Sequence, residues 1–195
     1  MLMSRSFGSA AWILALLLAG CSTVPRQTDF TAGFQAAYAE VASVPNVEPG
    51  SETERRAIER LQRFLGAMTA TSVEQDTANV YAPNAYLNDT LKTLRGPEAI
   101  QAYFRHTLES TDGFTAEFQD VSRGHDGFYY FRWIMKVRMK AVSKGETVTT
   151  LGISLVRFDA EGRVLIQQDY WDSASGLFQH VPGIGYGIRA IKARL

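Results

Sequence analysis

The sequence predicts an α+β fold, and two patterns carry the prediction. Apolar residues recur at helical spacing from Ser51 to about Leu108, and apolar and polar residues then alternate strand by strand from Gly113 to Asp172. Helices first and an antiparallel meander after them describe helices packed on one face of a curved sheet.

Ser51-Glu52-Thr53-Glu54 reads as a capping box. The serine oxygen and the glutamate can each satisfy an orphan N–H at a helix start. Ile58, Leu61, Leu65 and Met68 then share one face of that helix. Ser72 with Gln75 can cap a second, short helix that leads to Val80 and Tyr81. Ala85 to Asp89 is a short extended piece. Gly96-Pro97 opens a third helix, because proline at the first helical position gives up an N–H that has no partner there anyway. Its buried face is Ile100, Tyr103, Phe104 and Leu108.

Strands are expected from Thr115 to Ser122, from Phe128 to Lys140, from Thr147 to Phe158 and from Arg163 to about Asp172, with Asp159 to Gly162 as a hairpin turn. The second is the most regular. Phe131, Trp133, Met135, Val137 and Met139 lie on one face, and Arg132, Lys136, Arg138 and Lys140 lie on the other. A period of two marks a half-buried antiparallel strand.

The N-terminus has a different character. Arg5 is followed by the uncharged apolar run Ala10 to Leu18 and then by Leu18-Ala19-Gly20-Cys21. The run is too short for a spanning helix and ends in small residues, as a cleaved secretion signal does. Cys21 is the one cysteine in the chain. The segment resembles the bacterial lipobox, which implies that Cys21 is acylated and becomes the new N-terminus. Ser22 in place of an aspartate implies sorting to the outer membrane, facing the periplasm. An ordinary signal with a chance cysteine, or a short anchor helix, are the other readings of the same segment. The expected organisation is a signal at 1–20, the lipidated cysteine and a tether with a short helix at 21–50, one domain at 51–175 and a basic C-terminal strap at 176–195. The helix in the tether follows from Phe30, Phe34, Tyr38 and Val41, and Pro45, Pro49 and Gly50 punctuate its end.

Composition excludes several functions. Lys+Arg and Asp+Glu both number 20, and residues 1–20 carry Arg5 alone, so the mature chain is one unit negative. A nucleic-acid partner is not expected, since phosphate binding needs a basic surface. An acylated Cys21 leaves no thiol for a disulfide framework. His106, His125 and His180 are scattered without ligand spacing, so neither a metal site nor a cofactor is expected.

Several motifs together carry a resemblance. Val80-Tyr81-Ala82-Pro83-Asn84-Ala85, Leu87-Asn88-Asp89 and Arg95-Gly96-Pro97-Glu98-Ala99-Ile100 with Tyr103-Phe104 come first. Val156-Arg157-Phe158-Asp159, Glu161-Gly162-Arg163-Val164 and Gln168-Asp169-Tyr170-Trp171-Asp172 follow. In this order and spacing they resemble the nuclear transport factor 2-like superfamily, which includes ketosteroid isomerases, SnoaL-like polyketide cyclases, limonene epoxide hydrolases and non-enzymatic members. The resemblance spans roughly Glu54 to Asp172 and implies a cone: three helices against a curved antiparallel sheet, with an apolar pocket at the open end.

Periodicity proposes what lines such a pocket. Asp169 and Trp171 share one face of the last strand, and Trp171 is most simply inward, so Asp169 goes inward with it unless a bulge swaps the faces. Trp133 and Met135 are inward on their strand, Tyr103 lies on the buried face of the third helix, and Tyr86, Ser154 and Asp89 complete the expected set. A small apolar molecule with a polar group suits that lining.

Two functions stay open. One is a lipid-tethered module that binds a small apolar molecule or a partner. The other is an acid/base enzyme of isomerase, cyclase, dehydratase or epoxide-hydrolase type using Asp89 and Asp169. Asp89 matches the general-base position of the ketosteroid isomerase pattern. The oxyanion donors of that pattern are absent: its tyrosine falls at Leu65, its protonated aspartate at Ser154, and its supporting tyrosine at Phe104. Steroid isomerisation is therefore rejected. Asp89 reads equally as a loop or cap residue, Asp169 as half of an internal salt bridge, and Trp133 and Trp171 as plain core. Tyr130 and Ile134 among Arg132, Lys136 and Arg138 would permit a homodimer through the outer sheet face, as the resemblance implies. The tail Ile188 to Leu195 is a short basic amphipathic piece, expected to strap across the cone or to meet acidic lipid head groups.

Overall fold

The computed structural model describes residues 29–142 and 145–195. Cys21 and the signal segment lie outside the described residues. The chain divides into two units, of which the second, Phe34–Leu195, carries the fold.

Six helices and six strands are present among the described residues. Helix α1 spans Ala32–Val41, α2 Glu52–Gly66 and α3 Ala70–Val80. Strands β1 (Tyr81–Asn88) and β2 (Thr93–Arg95) precede α4 (Gly96–Glu109). Strands β3 (Thr111–Arg123), β4 (Tyr129–Met139), β5 (Val148–Phe158) and β6 (Val164–Trp171) follow. The tail holds α5 (Ser173–Gly176), a 3₁₀ turn (Phe178–His180) and α6 (Ile184–Lys192). No helix among the described residues is long and apolar enough to cross a membrane.

The caps explain where the helices start. Ser51 accepts from the Glu54 N–H at 3.1 Å, and the Glu54 carboxylate accepts from the Gly50 N–H at 2.6 Å, one residue before the cap itself. The second helix begins earlier than expected. Thr69, not Ser72, is its cap, and Thr69 and Ser72 each accept from the other's backbone N–H.

The sheet order is β2-β1-β6-β5-β4-β3. It is mixed rather than antiparallel, because β1 runs parallel to β6. Hairpins fix direction only between strands consecutive in the chain, and β1 and β6 are joined by everything between them. The β5–β6 turn closes as expected, with the Gly162 N–H donating to the Asp159 carbonyl at 2.9 Å and Gly162 at φ 79°. A side chain there would be strained and would also meet the Ala57 Cβ.

Helices α2, α3 and α4 cover the concave face. Leu61, Phe64, Val73, Ile100 and Phe104 bury against Tyr81, Phe131, Val156 and Phe158 of the strands. A second, smaller cluster lies on the opposite face, where Ala37 and Val41 of α1 pack with Ala82, Tyr86, Phe128 and Leu165. Residues 32–47 of the segment expected to be tether are thus folded onto the domain. Val47 is 1% exposed, Arg157 donates to the Asn46 side chain at 2.5 Å and to the Val44 carbonyl at 2.9 Å, and Asn46 bridges Asp159. The two prolines that read as linker punctuation flank a packed segment.

The C-terminal helix also departs from expectation. It rests on residues 172–180, held at its rim by exposed polar contacts: Arg189 donates to the Gln179 carbonyl at 2.8 Å and Lys192 pairs with Asp172 at 3.1 Å. Ile184, Tyr186, Ile191 and Leu195 are left exposed.

A cavity with two carboxylates

The open end of the cone encloses a cavity of about 400 Å³. Its room comes from β5. Trp133 on β4 and Trp171 on β6 are both in register with Gly152 on the strand between them, and Phe131 and Asp169 are in register with Ser154. Two large rings flank a residue with no side chain, and a Cβ at Gly152 would run into the Trp133 ring. Small residues on the central strand therefore create the chamber. Phe114 and Phe118 of β3, Met135 and Val137 of β4, Leu65 and Met68 near the end of α2, and Leu177 complete most of the apolar wall.

Asp169 reaches the cavity because β6 keeps its phase: Gln167, Asp169 and Trp171 all line it. Its carboxylate accepts from Gln167 Nε2 at 3.0 and 3.2 Å. Tyr81, buried, donates to Gln167 Oε1 at 2.8 Å and so fixes which way that amide points. Trp133 Nε1 donates to Ser154 Oγ at 2.9 Å. Burial drives the Asp169 carboxyl up to about 7, with the negative charge of Asp89 adding to the rise, while the Ser154 and Gln167 donors pull it partly back.

Asp89 stands just after β1, where the chain turns with Thr90 at φ 75°. Its Oδ1 accepts from the N–H groups of Leu91 at 3.0 Å and Lys92 at 2.9 Å, and Oδ2 accepts from the Tyr103 hydroxyl. Trp171 Nε1 donates to the Asp89 carbonyl at 2.7 Å, which ties the loop to β6. Burial and the adjacent Asp89 charge push the Tyr103 hydroxyl far up, so it serves as a donor.

The structure thus brings Asp89, Asp169, Tyr103, Trp133, Met135, Ser154 and Trp171 to one chamber. It does not bring Tyr86 there. Tyr86 points to the other face of the sheet, under α1, with its hydroxyl donating to Gln168 at 3.3 Å and its ring 5.1 Å from the Arg95 guanidinium. Tyr81, Ala85 and Leu87 take the inward positions of β1 and Ala82 and Tyr86 the outward ones, as strict alternation requires. Gln167 and Tyr81 are site residues that sequence reasoning missed. Gln167 had a signal, since it shares the phase of Asp169 and Trp171 two residues away.

Among the described residues Asp169 forms no salt bridge; its neighbours are the Gln167 amide and the Ser154 hydroxyl. No lysine or arginine lines the cavity among the described residues, and no group of their side chains there could hold a metal ion. Leu65, Ser154 and Phe104 all face the chamber, so the positions that would carry isomerase oxyanion donors are present but hold other chemistry.

A curved sheet on three helices around one apolar chamber defines the class, a nuclear transport factor 2-like cone. The chain belongs to the SnoaL-like domain family, whose model matches residues 61–166. Solved structures share the fold. An NTF2-like protein of unknown function from Burkholderia pseudomallei is 13% identical over 68% of this chain and 100% of its own, with a TM-score of 0.55. A protein with a ketosteroid isomerase-like fold from Catenulispora acidiphila, solved with trimethylamine, is 14% identical over 64% and 91%, at 0.54. An LEH-like epoxide hydrolase from M. tuberculosis is 13% identical over 74% and 96%, at 0.53. Identities this low carry the fold and nothing about ligands. No curated protein matches the chain.

Proposed function

We propose that the chain is a membrane-anchored lipoprotein whose cone holds a small, mostly apolar molecule. The observation that carries the binding reading is the chamber itself. Its volume of about 400 Å³ falls within the range of ligand sites, and its apolar wall carries a few convergent polar groups. Mass spectrometry of small molecules extracted from purified residues 22–195 tests it. Wild-type protein should carry such a molecule, or take up the neutral dye Nile red, and Met135→Trp should lose both by filling the chamber. A wild-type protein that does neither contradicts the reading.

Anchoring rests on the Leu18-Ala19-Gly20-Cys21 pattern. Cys21→Ala should move the protein from the membrane fraction to the soluble one; retention in the membrane would sink the lipoprotein reading. The outer sheet face supports a homodimer, since Tyr130, Leu151, Ile153 and Tyr170 form an exposed apolar strip beside Arg132 and Lys136 on one side. Glu117, exposed on β3 opposite Ile134, offers the opposite charge to a second copy.

A second reading, acid/base catalysis, is favoured by one observation. Asp169 faces the chamber without a cationic partner and is held near 7, where a carboxylate can both take and return a proton. Its donors suit it to the base role, with Asp89 across the chamber to accept from a substrate hydroxyl. This fits an isomerase, cyclase or epoxide-opening reaction.

A further inference from the structure

The groups bonded to the two carboxylates present hydrogen-bond donors to them. An indole N–H can only donate, so Trp133 occupies one acceptor site of the Ser154 oxygen, and the Ser154 hydroxyl is among the groups that favour the charged form of Asp169. The Tyr81 hydroxyl, buried and far too weak an acid to ionise, donates to Gln167 Oε1 and turns the amide nitrogen toward Asp169. Two relays therefore deliver donors to Asp169 and hold it as an acceptor. Asp89 is treated alike by two backbone N–H groups and the Tyr103 hydroxyl.

The charges do not balance. None of the described ion pairs includes either carboxylate. The Lys92 ammonium lies over the Tyr103 ring at 5.8 Å. His106 also lines the chamber, from α4. The walls supply the faces of Trp133, Trp171 and Tyr103, which attract cations through their ring quadrupoles. A carbonyl or carboxylate on a ligand would meet two groups of its own polarity.

We infer that the molecule this chamber takes is an organic cation, an apolar body bearing a protonated amine that pairs with the Asp169 carboxylate. The inference rests on the binding reading above and specifies its ligand class. The cation supplies the counter-charge that the protein withholds and relieves the burial that pushes Asp169 up.

Three ligands with one shape test it: adamantylamine, adamantanol and adamantane carboxylate, titrated by calorimetry into wild-type residues 22–195 at about pH 8. The amine should bind about tenfold or more tightly than the alcohol, the ratio expected for one hydrogen bond to a charged group, and the carboxylate more weakly than either. Amine affinity should fall about tenfold per unit as pH drops below 7, where Asp169 takes up a proton. Asp169→Asn should erase the preference for amine over alcohol. Alcohol or carboxylate binding as tightly as amine to the wild-type protein overturns the inference and leaves the binding reading standing. Failure of all three to bind overturns the inference, and overturns the binding reading as well if the same protein also fails to take up Nile red.

Discussion

At the closed end of the cone, Phe158 stands edge-on to Tyr129 at 5.3 Å and to Phe131 at 6.2 Å, with Val47, Leu61 and Val164 filling the space around them. At the open end, the same strands present Trp133, Met135 and Trp171 to a chamber of about 400 Å³. Strand β5 accounts for the difference. It offers Val156 and Phe158 at one end, and Gly152 and Ser154 at the other. Rings that meet rings make a core. Rings that face a glycine make a pocket, and the polar groups that enter it have no cation to meet.

The largest effect should separate the two ends. Phe158→Ala leaves a hole in packed surroundings and should cost about 3–5 kcal/mol in urea unfolding, with ligand affinity unchanged in the fraction that folds. Equal loss from Met135→Ala would erase the distinction between core and chamber wall.

Gly152→Ala should cost less, about 1–3 kcal/mol, because the added methyl forces the Trp133 ring off its seat and off its bond to Ser154. It should also shrink the chamber, read as lost uptake of Nile red. A neutral outcome in both measurements would break the account of how β5 makes room.

The pH dependence should sharpen the comparison further. The folded protein keeps a proton on Asp169 up to about 7, whereas the unfolded chain releases it near 3.8. Stability from this group is thus greatest below about pH 4 and declines as pH rises to 7. Asp169→Asn should raise stability at about pH 8 by about 1–2 kcal/mol, after allowance for water reaching the chamber, and change little at about pH 4. Tyr103→Phe should have the smallest effect, about 0.5–1.5 kcal/mol, from the lost donor to Asp89.

Much of this was legible in the sequence where one period governs one element. The alternation of Phe131, Trp133 and Met135 sets the inward face of β4, and Trp171 carries Asp169 inward with it. Tyr86 was misplaced although the strand's own period assigns it: Leu87 and Asp89 share the inward phase, which sends Tyr86 to the other face. The parallel pairing of β1 with β6 was hidden because it joins segments distant in the chain. Residues 44–47 read as linker because Pro45 and the nearby Pro49 are visible, while the Arg157 clamp that folds them onto the sheet is about 110 residues away, too far for a local pattern to show. The chamber's cause could have been seen. Gly152 and Ser154 are small residues at inward positions of a strand otherwise rich in large ones.

The central claim is an acceptor-wired carboxylate in an apolar chamber with no cation beside it. Carboxyl-carbon NMR of the wild-type domain, with Asp169 assigned by comparison with Asp169→Asn, measures it directly. The account predicts a titration midpoint for Asp169 close to 7 that falls when adamantylamine is bound. A midpoint near the ordinary 3.8 without ligand would show that the charge is already compensated, and would contradict it.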